Sequence, residues 1–201
     1  MSRGLFIAFE GIDASGKSTQ ARRVAQERDA LFTFEPGDTP LGVELRKWLL
    51  DASVPMSFET EALLMLADRS HHAQTIIVPA LASGRHVVTD RYLGSTIAYQ
   101  GYGRGVDVSK LLVATDLAVT NVRPDLTILI DIDVEVANER RARNDKDRFE
   151  SADAAFHERV REGFLAQAAQ NADSWFVVDG SNDLATVASI IDERLNTLLW
   201  S

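Results

Sequence analysis

The sequence has 201 residues, 45% of them hydrophobic, with a net charge of −9 and no cysteine. That apolar content suits one core of ordinary single-domain size, and the missing cysteines exclude disulfides and thiolate metal sites. The acidic balance speaks against a broad nucleic-acid-binding face, which needs cations to neutralise many phosphates.

Short apolar runs alternate with longer segments of helical period, the pattern of a parallel sheet covered by helices. In chain order the expected elements are a strand at 5–10 (LFIAFE), a helix at 17–28, a strand at 31–34 (LFTF), and helices at 40–50 and 57–82. A strand at 86–90 (HVVTD) and helices at 92–99 and 107–120 follow. The last third reads as a strand at 125–131 (DLTILID), helices at 133–143 and 152–170, a strand at 175–179 (WFVVD) and a helix at 183–198. The apolar run LFIAF is shorter than a signal core or a membrane span, so a soluble, cytoplasmic protein with no membrane partner is expected.

Gly11, Gly16, Lys17 and Ser18 match G-x-x-x-x-G-K-[ST] between a strand and a helix, the context this motif requires. Given average glycine usage, a chance match in a chain of this length is on the order of one in a hundred. Physically, Gly11, Ile12, Asp13, Ala14 and Ser15 form a loop whose backbone N–H groups converge on nucleotide phosphates. Gly16, Lys17, Ser18 and Thr19 open a helix whose N-terminus adds its positive end. Lys17 is assigned to the β and γ phosphates, and the Ser18 hydroxyl to Mg²⁺. A guanine-nucleotide switch would need an Asn-Lys-x-Asp and a Gly-terminated switch motif; TNVRPD and DRYLG satisfy neither. A large ATP-driven motor needs more chain, which leaves a small-molecule kinase.

HVVTDRY ends a strand with Asp90 followed at once by Arg91. An aspartate at that tip can hold Mg²⁺ directly or through water, and the next arginine can bridge donor and acceptor phosphates. Asp131 and Asp179 also end strands, where open sheets place ligands, but caps and turns use such aspartates more often. Asp133 is read as a helix cap. The segment ERRARNDKDR (139–148) gathers Arg140, Arg141, Arg143, Lys146 and Arg148; alone it reads as a solvated helix face. No general base is evident, and none is needed if the acceptor is itself a phosphate, whose second pKa near 6 leaves it largely ionised. His71, His72, His86 and His157 make no metal spacing and read as structural or surface residues.

GIDASGKST, EPGDTPLGVELR, TEALLMLADR, DRYLGSTIAYQG, RPDLTILIDID and RARNDKDRFE, in that order, resemble the thymidylate kinases, which pass the γ-phosphoryl of ATP to dTMP. The resemblance covers nearly the whole chain, and DRYLGSTIAYQG is its most specific part. It implies a P-loop NTPase three-layer α/β sandwich over 1–201, with a five-stranded parallel sheet of order 2-3-1-4-5. It further implies ATP as donor, Mg²⁺ as cofactor, dTMP as acceptor and a homodimer.

Residue by residue, the resemblance turns Asp13 away from the donor phosphates toward the 3′-hydroxyl of the acceptor sugar. Arg69 would donate to a thymine carbonyl, Thr96 and Gln100 would line the base pocket, and the Tyr99 ring would stand where a ribose 2′-hydroxyl would sit. Arg46 and Arg91 are assigned to the acceptor phosphate, and Glu35 to a Glu-Pro-Gly turn with a cis peptide bond before Pro36. Glu10 is a candidate for a Mg²⁺-bound water. Ala14-Ser15 leaves the phosphate loop without the arginine some members carry there. The basic segment, about 140–150, is therefore read as a closing lid, with Arg141, Arg143 or Arg148 reaching the transferred phosphoryl.

Two positions depart from the family pattern. Met65 stands where a phenylalanine usually stacks on thymine, and Phe34 precedes Glu35 where an arginine is usual. Phe34 reads either as a buried strand residue or as a ring replacing part of that stack. A kinase for another pyrimidine monophosphate, such as dUMP or dCMP, and a non-catalytic nucleotide-binding module are the alternatives.

Overall fold

The computed structural model describes residues 3–119, 122–140, 148–149 and 153–198. Five parallel strands form one sheet in the order β2-β3-β1-β4-β5. They are β1 (Phe6–Glu10), β2 (Leu31–Phe34), β3 (Val87–Asp90), β4 (Leu126–Asp131) and β5 (Trp175–Asp179). The fold is that of the P-loop NTPases, as the resemblance implies. Both β1 and β3 start one residue later than the apolar runs suggest, because the Leu5 N–H donates to the His86 ring nitrogen (2.9 Å) instead of to the ladder. Asp125 likewise stays outside β4, where its carboxylate accepts the Phe6 N–H at 2.7 Å.

The helices are α1 (Lys17–Glu27), α2 (Pro40–Leu50), α3 (Phe58–His72), α4 (Val78–Ala82), α5 (Leu93–Thr96), α6 (Val108–Val119), α7 (Val134–Arg140), α8 (Ala154–Gln170) and α9 (Leu184–Asn196). Their starts carry the chemistry that the orphaned first-turn N–H groups demand. Thr39 accepts from Gly42, Ser57 from Thr60 and Asp153 from Phe156. The sheet separates two apolar layers. Ile7, Phe9, Val88, Ile128 and Ile130 face α1 and α9 through Val24 and Ile191. Phe6, Ala8 and Val87 face Leu66, Leu81 and Val119 on the other side. Because β1 is buried on both faces, all five of its residues are inaccessible, which is why it reads as a continuous apolar run.

Two expected helices are interrupted. The span 57–82 is α3, a π-helical stretch at Ala73–Ile77, and then α4. Pro79 has no N–H for the preceding turn, and the Thr75 hydroxyl bonds back to the His71 carbonyl at 2.7 Å, so the ladder loosens there. Likewise 92–99 becomes the short α5 followed by a π-helical stretch at Ile97–Gly103. Gly103 lets that stretch lie against α8, where a Cβ would come within 2.6 Å of the Phe156 ring. Asp133 precedes α7 as expected, but its carboxylate receives Arg161, whose guanidinium also holds Asp131 at 2.8 Å.

Candidate functional site

The loop from Gly11 to Gly16 joins the end of β1 to α1. Gly11 (φ 143°) passes so close to β4 that a Cβ would sit 2.5 Å from the Ile130 carbonyl oxygen. Gly16 (φ 95°) opens α1 with no side-chain cap, which leaves the first-turn N–H groups turned to the loop's interior, where they suit an anion. The Lys17 ammonium lies in that concavity, 3.4 Å from both the Ile12 carbonyl and Asp13 Oδ1. Burial pushes its pKa down and the Arg91 charge adds to this, while Asp13 and Asp90 oppose it. Of the loop residues expected to touch nucleotide, Ile12 turns its side chain into the core and Thr19 faces outward. Ser15 Oγ is buried and finds no partner among the described residues.

Asp90 ends β3, in register with Phe9 of β1 and Phe34 of β2. Its Oδ1 is likewise buried without a hydrogen-bond partner, a costly state for a carboxylate oxygen unless a cation or water meets it. With the half-buried Ser18 hydroxyl in the first turn of α1, this is an all-oxygen donor set suited to Mg²⁺. Glu10 is not part of it. Its carboxylate caps the start of α5, accepting the Tyr92 and Ser95 N–H groups at 3.0 Å each and the Ser95 hydroxyl at 2.6 Å. Burial nevertheless raises its pKa above the usual carboxylate range.

Arg91 links the loop to a second cavity. Its backbone is left-handed (φ 72°), a strained choice for a side chain of this size and one that clusters at functional sites. The guanidinium donates to the Gly11 carbonyl (3.4 Å), Ser95 Oγ (3.1 Å), Tyr99 Oη (3.2 Å) and Asp13. Asp13 also accepts from the Tyr99 hydroxyl at 3.1 Å, so its carboxylate is turned toward the Ile97–Gly103 stretch and the cavity.

That cavity encloses about 100 Å³. Asp13, Glu35, Arg46, Met65, Arg69, Arg91, Thr96, Tyr99 and Gln100 all line it, although the sequence scatters them from residue 13 to residue 100. Arg69 is held by Glu35 Oε2 (2.7 Å) and Thr96 Oγ1 (2.6 Å), and Arg46 reaches the Pro36 carbonyl at 2.6 Å. The peptide before Pro36 is cis. Phe34 stays out of the cavity: it is a half-buried strand residue stacked on Phe32 with ring centroids 6.4 Å apart. His72 is structural, fixed between Glu35 and Thr33.

Pro36, Leu50, Asp68, Ser95 and Phe149 complete the lining, and of these only Pro36 was singled out by the sequence. Asp68 had a signal in standing next to Arg69, and Phe149 in following Arg148. Asp68 accepts the Gly37 N–H, and burial beside Glu35 pushes its pKa up to about 6. Arg148 is bonded to the segment that ends α2. It closes the C-terminus of α2, donating to the carbonyls of Leu49 (3.1 Å), Asp51 (2.6 Å) and Val54. Arg141 and Arg143 lie outside the described residues.

A family model described as thymidylate kinase matches residues 9–191. The thymidylate kinase of Cupriavidus pinatubonensis is 42% identical, covering 98% of this chain and 100% of that protein. The thymidylate kinase of Geobacter sulfurreducens is also 42% identical, with 96% and 97% covered. Among solved structures, the thymidylate kinase from Ehrlichia chaffeensis superimposes with a TM-score of 0.79 at 33% identity, covering 96% of this chain and 99% of that one.

Proposed function

The chain belongs to the thymidylate kinase family, and from that membership we propose how its own residues transfer the γ-phosphoryl of ATP to dTMP, giving dTDP and ADP. The activity itself, ATP-dependent phosphoryl transfer to a nucleoside monophosphate, follows from the family; kinases for other monophosphates and a non-catalytic module gain no comparable support. ATP binds with its phosphates over the loop from Gly11 to Gly16 and the first turn of α1. Lys17 neutralises the β and γ phosphates, and Ser18 and Asp90 are the residues that would hold Mg²⁺, which when bound would neutralise phosphoryl oxygen charge.

The acceptor lies in the adjoining cavity, its phosphate against Arg91 and Arg46, its sugar hydroxyl on Asp13 and its base toward Arg69, Thr96 and Gln100. Arg91 lies between donor and acceptor and stabilises charge on the transferred group in the transition state. An ionised terminal oxygen of the acceptor phosphate is nucleophilic without a base. The resemblance assigns further guanidinium charge on the transferred group to Arg141, Arg143 or Arg148.

The observation that carries this reading is the single side chain, Arg91, that touches the Gly11 carbonyl of the loop and also lines the acceptor cavity. Mixing ATP with a panel of monophosphates and following ADP release tests it. A strong preference for dTMP is expected, and equal turnover of dCMP would overturn it. The chain works as one domain in the cytoplasm and as a homodimer. Leu63 on α3 and Leu112, Val113 and Leu117 on α6 are at least half exposed and form an apolar face for the second copy. Light scattering that gave the mass of one chain at micromolar concentration would defeat the dimer.

A further inference from the structure

Glu61 lies in the first turn of α3, is 1% exposed, and is not part of the cavity wall. Its contacts nonetheless decide what the wall presents. The Gln100 amide nitrogen donates to Glu61 Oε1 at 3.0 Å. Arg104 donates to both Glu61 oxygens, Nε to Oε1 and Nη2 to Oε2, at 3.2 Å each. Arg104 is itself braced by the Phe156 and Phe58 rings, with centroids 4.6 and 5.2 Å away.

Carboxylate oxygens accept and do not donate, so the Gln100 amide must turn its NH₂ toward Glu61. The amide oxygen, a pure acceptor, is then held on the side away from Glu61, and Gln100 lines the cavity. Across the wall, Arg69 has Nε on Glu35 and Nη1 on Thr96, and a guanidinium offers only donors. An acceptor and a donor lining one cavity match the N–H and C=O of a thymine imide. They oppose cytosine, which presents a ring-nitrogen acceptor and an amino donor at the same edge.

We propose that Glu61 is a positioning residue for base selection: it fixes the Gln100 amide so that the cavity accepts an imide base and rejects an amidine-type base such as cytosine. This rests on the reading of the cavity as the acceptor site. A site built to hydrogen-bond its ligand discriminates strongly against an analogue that leaves its polar groups unpaired.

The test compares kcat/KM for dTMP and 5-methyl-dCMP, which share methyl group, sugar and phosphate and differ only at the hydrogen-bonding edge. Near-equal values in the unsubstituted enzyme would sink the acceptor-site reading itself. Given a strong preference there, Glu61→Gln frees the Gln100 amide to flip, because the new amide can donate or accept. The dTMP to 5-methyl-dCMP ratio should then fall by about tenfold or more, through a higher KM for dTMP with kcat nearly unchanged. An unchanged ratio, or an equal loss on both substrates, overturns the proposal. Gln100→Met supplies an arm independent of whether the first variant folds: it should lower the ratio similarly, and a preserved ratio would also overturn the proposal. In the Gln100→Met background, Glu61→Gln should change the ratio less than about twofold, since the two act as one unit.

Discussion

Arg69 Nε donates to Glu35 Oε2 at 2.7 Å, and both residues are almost wholly buried. The end of β2 thus fixes the guanidinium that α3 presents to the base. Such a pair adds little over an apolar replacement, but removing one charge strands the other. Glu35→Gln should therefore cost about 3 kcal/mol, lowering Tm by roughly 6–12 °C for a domain of this size. KM for dTMP should rise more than KM for ATP. Thermal unfolding and steady-state kinetics check both, and a Tm within about 2 °C of the parent would refute the first.

Asp68 has its pKa pushed up to about 6 by burial and by Glu35, against the opposing pull of His72 and Arg69. The folded chain then holds this proton more tightly than the unfolded chain, whose carboxyl titrates near 3.9. Stability is consequently lost as pH rises from about 4 to 6, by up to roughly 3 kcal/mol, and changes no further from this group above that window. Asp68→Asn, which cannot ionise, should gain relative stability over the same interval. Tm measured from pH 4 to 8 for both chains tests it; parallel curves would remove Asp68 as the cause.

The phosphate loop and the sheet order were legible because they rest on local grammar: glycines where φ must be positive, and apolar runs of strand length between helical periods. Of the cavity residues, Arg91 was legible from its place after the strand-ending Asp90 and Asp13 from the phosphate loop, but their meeting with Glu35, Arg46, Met65, Arg69, Thr96, Tyr99 and Gln100 was reached only through the family resemblance, since nothing local says that residue 13 meets residue 99. Glu10 was misassigned because a carboxylate at a strand end serves a cap as readily as a metal, and only the fold brings Ser95 to it. The π-helical stretches escaped periodicity because apolar spacing barely changes when one residue is added to a turn. Pro79 was the one local warning. Arg148 could not be located by charge alone, as the carbonyls closing α2 attract a guanidinium as well as a phosphate does.

Lys17 is the only ammonium within reach of the phosphate loop among the described residues, and it is buried there. Lys17→Met should lower kcat by about 10³-fold or more. dTMP affinity measured by calorimetry should change by less than about threefold, as the acceptor cavity does not include this side chain. Substantial residual turnover would mean that the donor phosphates lie elsewhere.

Asp90 Oδ1, buried without a partner, is the group whose role depends most directly on a cation. Asp90→Asn keeps the shape and removes the charge, so half-maximal activity should require about tenfold more Mg²⁺. Saturating metal should restore much of kcat. Titrating Mg²⁺ against initial rate decides the matter: an unshifted midpoint would assign Asp90 to the fold.

Tyr99 is held edge-on by Phe149 (5.6 Å), Phe156 (6.1 Å) and Phe164 (6.1 Å), so its ring cannot swing aside. If this fixed ring excludes a 2′-hydroxyl, the sugar preference depends on its volume and not on its hydroxyl. Tyr99→Phe keeps the ring and should preserve the preference for dTMP over its ribonucleotide counterpart within about twofold, while losing the 3.1 Å bond to Asp13. Tyr99→Leu keeps an apolar filling but opens space beside the sugar, and should raise relative kcat/KM for the ribonucleotide by about tenfold. The two variants separate sterics from hydrogen bonding. Should Tyr99→Phe relax the preference and Tyr99→Leu leave it intact, the selection would belong to the Asp13 and Arg91 contacts of the hydroxyl instead.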